Sequence, residues 1–166
     1  MKTSKERPRN MEGKTFKSKH VEAAYRANDI QGAFALCEHF FVQGVPCVPY
    51  ANDAAGRYAM MRPDLLVDGL PVEVQVSRSW NNKGKPKGWS GVMIFKRKMH
   101  QTSEKGGAWF TVNARGSHAY RVPFSAVPIR EGVYTDHRRG TRDPYVVFSF
   151  KDADLIELLK VNGKLN

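Results

Sequence analysis

The run Asp64-Leu-Leu-Val-Asp68-Gly69-Leu-Pro-Val72-Glu-Val-Gln-Val-Ser77 decides how the chain is read. Two β-rich stretches flank Asp68-Gly69, a dipeptide that tolerates the positive φ of a tight turn, so the segment is expected to fold as a β-hairpin. Side chains alternate across a strand, which puts Val72, Val74 and Val76 on one face and Glu73, Gln75 and Ser77 on the other. The valines offer a surface to a core, and the polar face collects an acid, an amide and a hydroxyl. Asp64 opens the first strand, nine positions before Glu73. A tight hairpin brings both carboxylates to one end of the sheet.

Upstream of the hairpin the pattern is helical. Ser18 is placed to cap, and Ile30, Ala33, Phe34, Cys37, Phe40 and Phe41 recur at steps of three and four until Gly44. One or two helices are expected over 20–43, with a break point at Asn28-Asp29. Cys47-Val-Pro-Tyr50 reads as a short strand carrying an edge proline, because proline cannot donate to a ladder. Downstream, residues 78–90 are irregular and basic. Strands are expected at 108–113, 119–124 and 145–150, and a last helix over 152–160 with Leu155, Leu158 and Leu159 on one face.

Residues 1–19 carry seven basic residues, two acids and one aromatic, too little apolar surface to offset the entropy of ordering. They are expected to form a mobile basic arm ahead of a single domain over 20–166. The whole chain of 166 residues has 27 Lys+Arg against 16 Asp+Glu, a formal charge of +11. Such an excess repels itself unless a polyanion is the partner, and nucleic acid is the first expectation. No run of about 18 apolar residues is present, and no apolar stretch follows the positive N-terminus, so neither a membrane protein nor a secreted one is expected. Two cysteines, Cys37 and Cys47, are too few for a disulfide scaffold and lack zinc spacing. The expected setting is a reducing cytoplasm, that of a bacterium or archaeon or of a phage host.

No acid occurs from Val74 through Ser103. Within that stretch Arg78, Lys83, Lys85 and Lys87 are suited to a nucleic-acid backbone while Trp80 stacks on a base or wedges a step. The competing reading makes Trp80 and Trp89 core anchors. Arg115 and Arg121, with His118, Arg138, Arg139 and Arg142, extend the expected phosphate-contacting surface. Two acids facing such a surface suit a hard cation. Magnesium prefers oxygen ligands and keeps several waters, so two carboxylates and a strand carbonyl suffice when substrate phosphate supplies the rest. An ion held there polarises a phosphoryl group and generates hydroxide near neutral pH.

Pro63-Asp64 followed by Glu73-Val74-Gln75 resembles the motif of the PD-(D/E)xK nucleases. The surrounding order is also similar: a helix ending at Gly44, a strand leading to Tyr50, the hairpin, then Trp109-Phe-Thr-Val and Tyr120-Arg-Val-Pro123. The resemblance covers roughly residues 20–127 and is nearest to the branch containing group I intron homing endonucleases and archaeal-type Holliday junction resolvases. It implies an α/β (α+β) fold with a restriction-endonuclease-like core, a central mixed β-sheet flanked by helices. It further implies a magnesium-dependent DNA endonuclease, with Mn2+ able to substitute, acting on double-stranded DNA. Asp64, Glu73 and the Val74 carbonyl would bind the metal, and Gln75 would stand where the family usually has lysine. The family's helix glutamate falls on Glu22, or secondarily on Glu38.

Glutamine can orient water by hydrogen bonds but carries no charge. An alternative register puts Gln75 in the acid's place and Ser77 in the lysine's, leaving one carboxylate. A protein that keeps the fold and binds nucleic acid without cutting is therefore the competing function. An RNA-binding or ribosome-associated role rests on charge alone. Cleavage of both strands with one site per chain calls for a homodimer or a higher symmetric assembly.

Overall fold

A computed structural model describes residues 19–49, 63–99, 106–137 and 140–161. The basic arm, apart from Lys19, lies outside the described residues, as do Ser18, Tyr50, Arg138 and Arg139.

Helix α1, Lys19–Val42, runs unbroken through Asn28-Asp29. Strand β1, Cys47–Pro49, leads into the hairpin of β2, Leu65–Val67, and β3, Leu70–Ser77. Asp68 and Gly69 have φ of 49° and 77°. Positive φ at both central positions is what a type I′ turn requires, and it matches the twist of the flanking strands. Then follow β4, Val92–Phe95, with one turn of 3-10 helix over Lys96–Lys98, β5, Ala108–Asn113, and β6, His118–Pro123. The chain closes with β7, Arg130–Asp136, β8, Thr141–Phe148, a 3-10 turn over Phe150–Asp152, and β9, Asp154–Glu157.

The fold is mixed α+β. Six strands form a central sheet in the order β1-β2-β3-β5-β6-β9, and β4-β8-β7 form a second sheet. In the central sheet β3 and β5 are parallel, and the other neighbours are antiparallel. Alternation along the strands separates two cores. Val72, Val74, Phe110, Val112 and Ala119 pack with Ala35 and Leu36 of α1. Trp109, Tyr120 and Val122, from the opposite face, pack with Val92 and Ile94 of β4, Val146 and Phe148 of β8, and Trp80.

The central sheet was expected to be flanked by helices, but α1 covers one face and the second sheet covers the other. The polar face of β3 is consequently buried, with Glu73 2% and Gln75 3% exposed. The expected helix over 152–160 is also corrected. Asp154–Glu157 pairs with β6 and supplies the hydrogen bonds that strand would otherwise lack at its outer edge. Ile156 packs on the first core while Leu155 is left exposed, so the leucines do not form one face. Strand β7 and the first residues of β8 went unread in the sequence because charged residues, Gly and Pro punctuate them, and β4 went unread because Val92–Phe95 is an apolar run of only four residues with no alternation.

Candidate active site

Strand β2 is short, and its pairing with β3 stops at Leu65 opposite Val72. On its other side β3 is paired with β5 through Ser77. The far half of β3 therefore has an open edge, and side-chain carboxylates occupy it. The Val74 N–H donates to Asp64 Oδ2 at 2.7 Å, and the Val76 N–H donates to Asp29 Oδ1 at 3.3 Å. Asp29 reaches the strand because α1 crosses close to it at Gly32, where a Cβ would lie 2.7 Å from Val76 Cγ2.

Two cations from the 3-10 turn after β4 close over these acids. Lys98 Nζ lies 2.9 Å from Asp64 Oδ2 and 3.2 Å from Asp29 Oδ2. The Arg97 guanidinium bridges Asp29 Oδ2 at 3.1 Å and Asp143 Oδ2, on β8, at 3.4 Å. Burial works against charge on Lys98, yet Asp29, Asp64 and Glu73 outweigh it and hold the ammonium above its ordinary pKa. Burial likewise opposes charge on Asp29, but Lys98 and Arg97 bring its carboxyl below the usual range. Glu73 behaves oppositely. Burial first, and the Asp64 carboxylate second, push its pKa well above the ordinary glutamate value, although Lys98 pulls the other way. The Glu73 carboxyl is near enough to Asp64 for the two to repel as anions, and this favours the neutral acid on Glu73.

Gln75 does not face this cluster through an available amide. Its Nε2 donates to Met93 O at 2.7 Å and to Thr111 Oγ1 at 3.0 Å, and its Oε1 accepts the Phe95 N–H at 3.0 Å. The side chain joins β3 to β4 and β5 and anchors the strand from which the Lys96–Lys98 turn departs. Trp109 Nε1 donates to the Lys98 carbonyl at 3.0 Å and fixes the other end of that turn. In the alternative register, Ser77 Oγ sits 3.3 Å from Ser79 Oγ.

Among the described residues no group of three His, Cys, Asp or Glu side chains is gathered tightly enough to hold a metal ion. The donor chemistry nonetheless fits a hard cation. Asp64 and Glu73 are neighbouring oxygen ligands of the kind hard cations prefer, and the Lys98 ammonium already stands between Asp64 and Asp29 as a cation does among carboxylates. In a strand the N–H and C=O of one residue point to the same side, so the Val74 carbonyl faces this edge too.

The remaining expected residues scatter. Glu22 is on α1, but its side chain is outside the described ones. Glu38 is at the opposite end of that helix, where it accepts the Val161 N–H at 2.9 Å. The helix carboxylate at the cluster is Asp29, from the dipeptide read as a break. Trp80 is 1% exposed and donates to Asn82 Oδ1 and the Gly84 carbonyl, a core anchor with no ring face open to a base. Arg78, Lys83, Lys87 and Arg115 are exposed. Lys85 lies over the Phe150 ring, 4.4 Å from its centroid, and Arg121 is 3.8 Å from Asp154. Asp29, Arg97, Lys98 and Asp143 were missed by motif spacing. The only trace of Arg97 and Lys98 in the sequence is the long acid-free stretch that contains them. Among the described residues no helix is long and apolar enough to cross a membrane. No family model, curated protein or solved structure matches the chain.

Proposed function

We propose that this chain is a magnesium-dependent DNA endonuclease built on a restriction-endonuclease-like core. The observation that carries the reading is the meeting of Asp64 and Glu73 at the open edge of β3 with Lys98 Nζ 2.9 Å from Asp64. The order of a helix, the antiparallel run β1-β2-β3 and then β5 parallel to β3 supports the same core. Bound magnesium, or Mn2+ in its place, supplies Lewis acidity and an activated water. Asp64, Glu73 and the Val74 carbonyl hold it. Lys98 provides the positive charge that Gln75 lacks and stabilises charge developing on the phosphate. Asp29 and Arg97 keep Lys98 in place, and Gln75 fixes the strand that delivers it. The excess positive charge holds the double-stranded substrate, and a pair of chains brings one site to each strand.

Closure of Lys98 over the carboxylates favours a second reading, a nucleic-acid-binding protein that no longer cuts. Incubation of supercoiled plasmid with the pure full chain and Mg2+ or Mn2+ separates the two. Nicking that is lost in Asp64→Asn, with DNA binding retained, is the expected result. Absence of metal-dependent nicking with intact binding leaves the second reading.

A further inference from the structure

A cavity of about 380 Å3 opens at the carboxyl ends of the parallel strands β3 and β5, between α1 and the β5–β6 turn. It adjoins the acid cluster but does not include it, because Val76 lines the cavity with its side chain while its N–H is held by Asp29. The floor is apolar, formed by Ala35, Val76 and Val112. Around the rim stand Arg78, Arg115 and Lys160, with Glu38 as the single carboxylate. Glu38 is partly committed, since it accepts the Val161 N–H and lies 3.8 Å from Lys160 Nζ. Three cations against one acid leave the rim with a net positive charge.

One wall is Phe34, which is 61% exposed. The ring stands beside a basic rim, and inorganic phosphate alone has no use for a ring and an apolar floor. A ring face next to cations is how proteins hold an unpaired nucleotide, with the base stacked and the phosphate neutralised. Gln31, at the same wall, adds an amide able to meet a base edge.

We propose that this cavity binds one nucleoside monophosphate unit, its base against Phe34 and its phosphate among Arg78, Arg115 and Lys160. The inference stands apart from the cleavage reading. Two sources offer this chemistry, a free nucleotide and an unpaired nucleotide within a DNA strand. Calorimetric titration of the full chain without divalent metal tests both, using dAMP against inorganic phosphate in one arm. The other arm compares a duplex carrying one unpaired adenine with its fully paired counterpart. The expected result is an advantage of about tenfold for the base-bearing ligand in at least one arm, and that arm identifies the source. Phe34→Ala should remove the advantage while leaving phosphate affinity unchanged, and Arg115→Ala should weaken dAMP and phosphate together. Because Phe34 and Arg115 are exposed, both variants should fold, which circular dichroism checks. No base-dependent advantage in either arm, or one that survives Phe34→Ala, overturns the proposal. Asp64→Ala should leave this binding intact, so loss of plasmid nicking and loss of nucleotide binding are read separately.

Discussion

Glu73 is the side chain at the open edge of β3 whose charge the fold opposes, since burial and the neighbouring Asp64 both raise its pKa. In the unfolded chain it ionises above about 4.5, whereas the folded protein retains the proton over the pH range just above that. Folding stability therefore declines as pH rises through that window. Glu73→Gln mimics the neutral acid, so it should raise the melting temperature at pH 7 in metal-free buffer, leave it nearly unchanged at pH 4 and abolish cleavage. Thermal scans at the two pH values check the sign. Lys98 is the reverse case. Lys98→Met strips the cation from Asp29 and Asp64 and should cost about 3 kcal/mol or more in urea denaturation, the cost of breaking a buried pair from one side, as well as removing activity. At this scale the hairpin pattern made the pairing of Asp64 with Glu73 legible, since both lie in one local segment. It is silent on Lys98, because no local rule links that lysine to an acid 34 positions earlier.

At the scale of elements, one side chain joins three strands. Gln75 holds β4 and β5 to β3, and Gln75→Ala would strand the Phe95 N–H and the Met93 carbonyl in a buried layer. A loss of about 2 to 3 kcal/mol is expected, since buried groups left unsatisfied lose their desolvation energy without return. Equilibrium unfolding measures it. A rate defect at full stability would instead assign Gln75 to the attacking water. A second tether joins α1 to the segment after β9, where the Leu159 N–H donates to His39 Nδ1 at 3.0 Å. Burial, then the Lys160 cation, lowers the His39 pKa below 6.5. The unfolded chain takes up the proton first as pH falls, so this contact is fully stabilising above 6.5 and is lost as acidity increases below it. Hydrogen exchange at the Leu159 amide should accelerate between pH 7.5 and about 5.5, after correction for intrinsic rate, and His39→Leu should remove that dependence. The hairpin and α1 were legible because turn chemistry and periodicity are local. The strand over 154–157 was not, because its leucine spacing fits a helix and only the unfilled edge of β6 selects extension.

Across the whole molecule, the proposed function makes the charge of +11 the term that should govern how DNA binding responds to salt. Each lysine that neutralises a phosphate contributes roughly 0.9 to the slope of log affinity against log salt. Replacing the exposed Lys83 and Lys87 together by alanine should make the slope shallower by up to about two. Lys85→Ala should change it less, because that ammonium is already placed over Phe150. Anisotropy titrations at several salt concentrations measure both slopes, and unchanged slopes would remove the loop from the interface.

The Asp68-Gly69 turn, the helical run ending at Gly44, the alternation along β3 and the basic balance of the chain were determined by the sequence alone. Each rests on φ preference, side-chain period or charge count, which act between neighbours or simply add. Tertiary structure decided which face of β3 is covered, that Gln75 is a strut, that Trp80 is core, and that Asp29, Arg97, Lys98 and Asp143 converge on one strand edge. Asp29 and Arg97 stand 68 positions apart, and a pair that distant leaves no mark in spacing. Packing of α1 through Gly32 and of the second sheet over Glu73 brings such groups within hydrogen-bonding range.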